Sequence, residues 1–542
     1  MVREAAPSTL RVDDVVASWH RLLVLRPRCL VPTSLPAMGL IDTLHRLLGN
    51  DARLTARELV RMARAEDLAL DKTAVNYVLY QNELFRHDGA VPPRWSLAST
   101  PMEARVRTPH RVQTVAVRNW KVFEETEVPL AGITLVYGEN STGKSSIFQA
   151  LLLMKRSWGY GYLRFEAGDP SFGWYEHVVH RHDLERDIRL TAEWGERDSD
   201  RYWSVTFVVP AGPPEHVFNP DHDIARILCE APGIVVGLQR IDPTTSPGMC
   251  DWAVARFAPD EPNATSLPVH DPLLLTSSGP EGFPDLAEGN VAVASGSGGL
   301  TGPQNETLSM ARQVLAGAAE MFDTVEHIGP TRAVPQRDIL VSVARENAPY
   351  LIRLFDDDDL VTDVNEWLLR FEIPYKIEVD CYGDYDGDDS FEVVLRHRSE
   401  GGERVQLRDV GFGVSQILPI IVQLLGSSEK TILIEEPEAH LHPRLQSVLG
   451  DLFITSTEDY GNVLVVETHS EPILLRLQRR IAEGRIRHDD VAVAHVVRHG
   501  RSSEVEEVRI GANGQLDYEW PGGFFDDRMD DLVAILDPRP EA

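Results

Sequence analysis

Cysteine is scarce in this chain: four in 542 residues, Cys29, Cys229, Cys250 and Cys381, with no spacing that suits a disulfide framework or a metal knuckle. Thiols so scattered are expected to stay reduced, which points to the cytoplasm. No apolar run approaches the roughly twenty residues of a membrane helix. No apolar stretch of a secretion signal opens the chain, so neither a span nor export is expected. Sustained heptads are missing as well, which excludes long coiled-coil arms, and no internal repeat stands out. Positive charge is in deficit, 53 Lys+Arg against 84 Asp+Glu for a net charge of −31. That excludes broad, nonspecific adhesion of the whole surface to nucleic acid but leaves a local site open.

The deficit is uneven. Residues 1–110 carry 15 Lys+Arg against 12 Asp+Glu, so the N-terminal part is weakly basic while the rest is strongly acidic. In that part, LTARELVRMARAEDL opens with a capping box at Thr55 and Glu58, and a second helix is expected from about Asp71 through Phe85. HDGAVPPRWSL then reads as a turn forming the wing of a small β-hairpin.

The chemistry is concentrated further on. VYGENSTGKSS contains GxxxxGKS in Gly138, Gly143, Lys144 and Ser145, between a β-branched apolar run and the helix former IFQALLLMK. At a strand-to-helix junction, the backbone N–H groups of Gly138, Asn140, Ser141, Gly143 and Ser146 can curl around a phosphate. Lys144 can reach the β/γ oxygens, and the Ser145 hydroxyl can serve Mg²⁺. TILIEEPEAHLHP is a buried parallel strand that delivers two carboxylates to its end. Glu435 is expected to hold the Mg²⁺ water shell and Glu436 to orient or deprotonate an attacking water. A third strand, NVLVVETHS, ends near His469, which could contact a γ-phosphate or be a structural hydrogen-bonder. Ahead of the carboxylates, DVGFGVSQILPIIVQLL places Gly411, Gly413, Ser415 and Gln416 at the start of an apolar helix.

Taken in order, these motifs resemble the layout of ATP-binding-cassette ATPases, with the modified signature of SMC-like and OLD-like members. That resemblance implies that Gly413, Ser415 and Gln416 cap the γ-phosphate held by an opposite subunit. EEPEAHLHP, in which His440 and His442 replace the usual D-loop residues, VETHS, HIGPTRAVPQR ending at Arg337, VNEWLLRFEIPY (Val364 to Tyr375) and WPGGFFDD are similar to stand-alone ATPases of bacterial anti-phage and mobile-element loci. A clear glutamine loop is missing, and FGWYEHVVHRHD from Phe172 is its positional candidate. Too few residues follow VVETHS for a Toprim domain; a terminal hairpin and a short acidic helix are expected there. DYDGDDS (Asp384 to Ser390) reads as an acidic hairpin turn, and Asp356 to Asp359 as a loop or helix start.

LDKTAVNYVLYQNELFRHDGAVPPRWSL is similar to Z-alpha winged-helix domains, which grip left-handed duplexes by their phosphates. The matching positions are Lys72, Asn76 and Tyr80, four apart on one helix face, with Pro92, Pro93 and Trp95 in the wing. Tyr77 and Val91 depart from that pattern, and a protein-docking module is the competing reading.

The expected fold is thus α/β: a small winged helix-turn-helix domain (1–108) before an ABC-type, SMC-like P-loop ATPase head (109–542). The head divides into a first lobe with the phosphate loop (109–200), an insertion or lid rich in Pro, Gly and Asp (200–400), and a signature, carboxylate and histidine lobe (401–542). The expected function is an ATP- and Mg²⁺-using switch, dimeric or of higher even order. Its nucleic-acid contact would run through the winged helix and its output through a separately encoded effector such as a nuclease. A transcription regulator and a repair or recombination ATPase remain alternatives.

Overall fold

The computed structural model describes residues 37–48, 111–158, 172–195, 302–332, 348–382, 390–399 and 402–518, with short strands between residues 54 and 97 and between 162 and 275. Near the N-terminus lie helix α1 (Ala37–Leu48) and an antiparallel sheet of β1 (Leu54–Thr55), β2 (Phe85–His87) and β3 (Arg94–Leu97), with β3 in the middle. The β2–β3 hairpin lies where a wing is expected, and Trp95 stands opposite both Leu54 and His87. Phe85 opens a strand rather than closing a helix. Lys72, Asn76, Tyr80, Pro92 and Pro93 lie outside the described residues, as do SGSGG, WPGGFFDD and the expected terminal helix.

The site rests on a six-stranded sheet of β6 (Ile133–Gly138), β15 (Val325–Ile328), β20 (Thr431–Glu435), β21 (Val463–Glu467), β22 (Val491–His499) and β23 (Ser502–Val508). Their order is β15-β20-β21-β6-β22-β23, parallel except for the final β22–β23 hairpin. Every residue of β6 and β20 is buried, as a parallel strand covered on both faces requires. Side chains alternate between two cores. Ile133, Leu135, Ile432, Ile434, Leu464 and Val466 face one of them. It is built with helices α5 (Pro349–Asp356), α6 (Asp358–Arg370), α7 (Phe412–Gly426), α8 (Pro443–Tyr460) and α9 (Glu471–Ala482). Val136, Leu433, Val465 and Val496 face the other, with α2 (Lys144–Ser157) and α4 (Gly302–Thr324).

That second core is closed by an antiparallel sheet of β4 (Val112–Trp120), β5 (Phe123–Pro129), β8 (Ile188–Trp194), β9 (Trp203–Val209), β11 (Arg226–Ala231), β12 (Ile234–Arg240), β13 (Trp252–Phe257) and β14 (Leu273–Leu275). The short strands β7 (Tyr162–Arg164) and β10 (Asp221–Asp223) pair beside it. On α4, Leu308, Ala311, Val314, Leu315, Ala318, Met321 and Phe322 are buried at helical spacing, so its apolar face is core. Phe322 lies 5.2 Å from Trp158 and 6.3 Å from Phe207, ring to ring.

The division expected at residue 200 runs through one sheet. β9 pairs with β8, and β15 beyond it joins the phosphate-loop sheet. The described strands of the 200–400 region join both sheets. A further sheet of β16 (Ile339–Leu340), β17 (Tyr375–Tyr382), β18 (Ser390–His397) and β19 (Arg404–Gln406) packs by α6. Tyr382 pairs with Ser390, so DYDGDDS joins two hairpin strands. The acidic run from Asp356 is a helix start: Asp357 accepts from the N–H groups of Asp359 (2.9 Å) and Leu360 (3.0 Å), capping α6.

Glu458 on α8 is pushed up to about 7 by burial, with Asp459 and Asp490 adding like charge and Arg485 opposing. An unfolded glutamate titrates near 4.3, so between about pH 4.3 and 7 the native state holds the extra proton and loses stability as pH rises. Glu458→Gln is expected to raise the Tm most above about pH 7, with the gain shrinking as pH falls toward 5. Thermal melts across that range check it; a pH-independent gain would count against the assignment.

Candidate active site

The phosphate loop leaves β6 at Gly138 (φ 153°) and enters α2 through Gly143 (φ 111°). A Cβ at Gly138 would lie 2.6 Å from the Val496 carbonyl oxygen, and one at Gly143 2.3 Å from Val122 Cγ2, so both positions require glycine. Asn140 and Ser141 are exposed at the crest, and Ser141 is itself left-handed (φ 65°). Its carbonyl accepts from Arg498 Nη1 at 3.0 Å. No side chain caps the start of α2, leaving its first N–H groups to an anion. Lys144 Nζ donates to the carbonyls of Gly138 (3.0 Å) and Glu139 (2.9 Å). Ser146 is buried behind the loop, its carbonyl accepting from Trp120 Nε1 at 2.7 Å.

Parallel register brings the acids to this loop. Val136, Glu467 and Glu435 are consecutive partners across β6, β21 and β20. The Ser145 hydroxyl donates to Glu467 Oε1 at 3.0 Å, while Glu435 Oε1 lies 2.7 Å from His327 Nε2. The carboxylate that meets the magnesium-type serine is therefore Glu467, with Glu435 one strand further out. Burial pushes Glu467 up to about 7, helped by Glu435 and Glu436 and opposed by Ser145 and Lys144. Burial also draws the Lys144 ammonium below its ordinary value, against the pull of Glu467, Glu436 and Glu438.

Glu436 is exposed and left-handed (φ 43°), its N–H donating to the Glu467 carbonyl at 2.9 Å. Beyond it, half-buried Glu438 accepts the His469 N–H at 2.6 Å. The flanks of His469 are fixed: Ser470 N donates to Thr468 Oγ1 (3.0 Å) and Tyr137 Oη to the Ser470 carbonyl (2.8 Å). The imidazole is presented outward; burial and then Lys144 lower its pKa and favour the neutral ring, against the opposing pull of Glu436.

A cavity of about 440 Å³ spans the loop, lined by Ser141, Gly143, Lys144, Ser145 and Glu467 on one side and by Lys121, His177, Arg181 and His182 on the other. That second wall is the glutamine-loop candidate segment, folded as α3 (Tyr175–Val178) and a tight turn with Arg181 (φ 59°) and His182 (φ 56°) left-handed. It brings cations and imidazoles where a glutamine was sought. Burial lowers Lys121 to about 8.

Gly411 caps α7, which puts Ser415 and Gln416 about a turn inside the helix, 2 % and 4 % exposed. Gln416 Nε2 donates inward to the Arg332 carbonyl at 3.0 Å. The accessible part of the motif is the backbone from Gly411 to Gly413; a Cβ at Gly413 would meet only the His440 carbonyl, at 3.4 Å. His440 is left-handed (φ 65°), and His442 caps α8 through Nδ1, which accepts from Arg444 N–H at 3.2 Å.

Sequence reasoning passed over Glu467, Glu438, His327 and Arg332. A signal existed for Glu467, a third carboxylate closing a buried strand. For buried Arg332, tied to Glu435 and Glu436 by their carbonyls, no local signal exists.

Residues 329–476 match a family described as "AAA domain, putative AbiEii toxin, Type IV TA system", and residues 486–535 one described as "Protein of unknown function (DUF3696)". Residues 329–476 thus match an ATPase-type domain, and the GxxxxGKS loop stands ahead of that match at residues 138–145. No protein of curated function matches its sequence. Solved structures that overlay on it include an Smc head bound to the C-terminal winged-helix domain of ScpA (10% identity, TM-score 0.39, 74% of this chain and 98% of that one). The SMC head domain from Thermotoga maritima also overlays (10%, 0.35, 74% and 100%). So does an Smc head with an extended coiled coil bound to the C-terminal domain of ScpA derived from Pyrococcus furiosus (10%, 0.36, 79% and 99%). These overlays are loose; the ATPase assignment rests on the family match and the motifs. No described helix is long and apolar enough to cross a membrane.

The donor set fits Mg²⁺: hard oxygens of Ser145, Glu435 and Glu467, with Glu467 Oε2 buried and unpartnered. Ligand linkage should follow. Mg²⁺-ATP at about a hundred times its Kd should stabilise the protein by roughly 2.7 kcal/mol, seen as a rise in Tm that Lys144→Ala abolishes. An undiminished rise in that variant would place the nucleotide elsewhere.

Proposed function

We propose that the chain binds and hydrolyses ATP as a molecular switch. The observation that carries this is the Ser145–Glu467 hydrogen bond at the edge where Lys144 and Glu436 also meet. The N–H groups of the phosphate loop and the start of α2 bind the β-phosphate, and Lys144 exchanges its loop carbonyls for β/γ oxygens. Ser145, Glu435 and Glu467 would hold Mg²⁺, which when bound neutralises charge on those oxygens. Glu436, exposed and fixed by its left-handed backbone, orients the attacking water and accepts its proton. Neutral His469 donates a hydrogen bond to the γ-phosphate and registers its loss.

Two copies sandwich two nucleotides, each closed by the partner's α7 start. The cap there is backbone N–H from Gly411 to Gly413, because Ser415 is buried. The N-terminal region, with its β2–β3 hairpin, contacts nucleic acid through Lys72, Asn76, Tyr80, Pro92, Pro93 and Trp95. The setting is anti-phage defence with a separate effector, a reading to which the family description naming a putative AbiEii toxin lends support for the defence part.

Glu436→Gln keeps the shape of the side chain but removes the base. Turnover should fall by about 10²–10⁴ while ATP binding survives, and ATP should then hold a sedimenting dimer. Parental turnover would reassign the base, and a monomer with bound ATP would remove the sandwich.

Nucleic-acid contact is tested by salt titration of duplex binding. Lys72→Ala should reduce the slope of log affinity against log salt by about one, and Asn76→Ala with Tyr80→Ala should weaken binding at nearly constant slope. Basal ATPase should persist in both. A wild-type protein that binds no duplex of either hand would favour protein docking.

A further inference from the structure

One buried side chain joins four of the motifs. Arg332, 7 % exposed, directs Nη2 at two consecutive carbonyls, those of Glu435 (2.6 Å) and Glu436 (3.1 Å). Its own carbonyl receives the Gln416 amide from the signature helix at 3.0 Å. Its remaining Nε and Nη1 are buried without partners, and so is Glu438 Oε2, whose carboxylate takes the His469 N–H through Oε1. The signature helix therefore meets Arg332 at its carbonyl and the carboxylate turn meets it at its guanidinium, while the histidine loop is joined to them through Glu438, whose charge acts on Arg332. The turn itself is the strained point, because Glu436 is left-handed and lacks the freedom of glycine.

We propose that Arg332 is a positioning residue that holds Glu436 in its left-handed geometry and transmits displacement of α7 at the signature to the carboxylate turn. This rests on the reading of the chain as an ATPase with Glu436 as its base. The guanidinium suits this role, because the N–H groups of its one nitrogen Nη2 serve two carbonyls in a row in an orientation set by the guanidinium plane, which a freely rotating lysine ammonium does not fix. When a second molecule's nucleotide meets the Gly411–Gly413 backbone, a shift of α7 pulls on the Arg332 carbonyl through Gln416. The unpartnered Nε and Nη1 then have an acceptor within the same cluster, Glu438 Oε2, so the shifted arrangement has a hydrogen bond that the present one lacks. Removing the arginine frees the turn, and misplacing a base by about 1 Å is enough to cost roughly 10²-fold in rate.

The test is steady-state ATPase of the full chain, alongside equilibrium binding of a fluorescent ATP analogue with Mg²⁺. Arg332→Gln should lower kcat by about 10²-fold with analogue affinity within about threefold, and Arg332→Lys should recover part of the loss. In a Glu436→Gln background, Arg332→Gln should lower kcat by less than about twofold, because both changes disable one unit. Gln416→Met, which keeps volume but loses the amide, should lower kcat in the same pattern, and it decides the matter if Arg332→Gln does not fold. Additive losses in the double variant, or parallel losses of affinity, kcat and Tm, would overturn the proposal in favour of a merely structural arginine. Wild-type protein with no Lys144-dependent turnover would remove the ATPase reading and this inference together, whereas normal turnover in the Arg332 and Gln416 variants would remove this inference alone.

Discussion

The constraint on which the site depends is the parallel pairing of β21 between β6 and β20. Hydrogen-bond register sets Val136, Glu467 and Glu435 side by side, so the phosphate loop and three carboxylates leave the sheet at one edge. Strands buried on both faces cannot slip by one residue without turning an apolar set toward the wrong core. Burial of Ile432 to Ile434 and Leu464 to Val466 therefore fixes where the acids emerge.

Glu435, Glu436, Glu438 and Glu467 are gathered near one another at a cost in which burial comes first and like charge second: burial, with neighbouring carboxylates adding to it, raises the pKa of Glu438 and Glu467. The structure offsets it locally with Lys144, Arg332, the Ser145 hydroxyl on Glu467 and the His469 N–H on Glu438. Burial lowers Arg332 to about 10 while the three nearest glutamates pull it back up, so it stays protonated at neutral pH. A site with surplus acid and an orphaned carboxylate oxygen at Glu467 is arranged to gain from a cation. Part of the charge asymmetry of the chain thus lies at its chemical centre.

The cavity also has a cationic wall that no motif announced. The turn from His180 to His182 is tied to the β4–β5 turn and the β22–β23 hairpin: His180 Nδ1 to the Lys121 carbonyl (2.9 Å) and Arg181 Nη2 to Ser502 Oγ (3.1 Å). Arg498 on the same hairpin reaches Ser141 on the opposite wall. The segment matching a family of unknown function in this way braces the phosphate loop from behind, since β22 pairs directly with β6.

Much of this was legible in the residues themselves. GxxxxGKS between an apolar run and a helix former, TILIEE at a strand end, and the acidic start of α6 are local patterns, and local backbone preference suffices to write them. So is the apolar face of α4. Other features have no local trace. Ser415 and Gln416 look like surface ligands until the packing of α7 turns them inward, and Arg332 looks like any loop arginine until Glu435 and Glu436 arrive from a hundred residues away. The strands between 200 and 280 were hidden by the Pro- and Gly-rich composition around them. The sequence by itself determined which chemical groups exist and at which strand and helix ends they stand, because phosphate loops, caps and buried strands are encoded within a few residues. Which of those groups meet, Ser145 with Glu467 and Gln416 with Arg332, was decided only by tertiary structure, because strand order and helix packing are set by long-range burial that no short window of sequence contains.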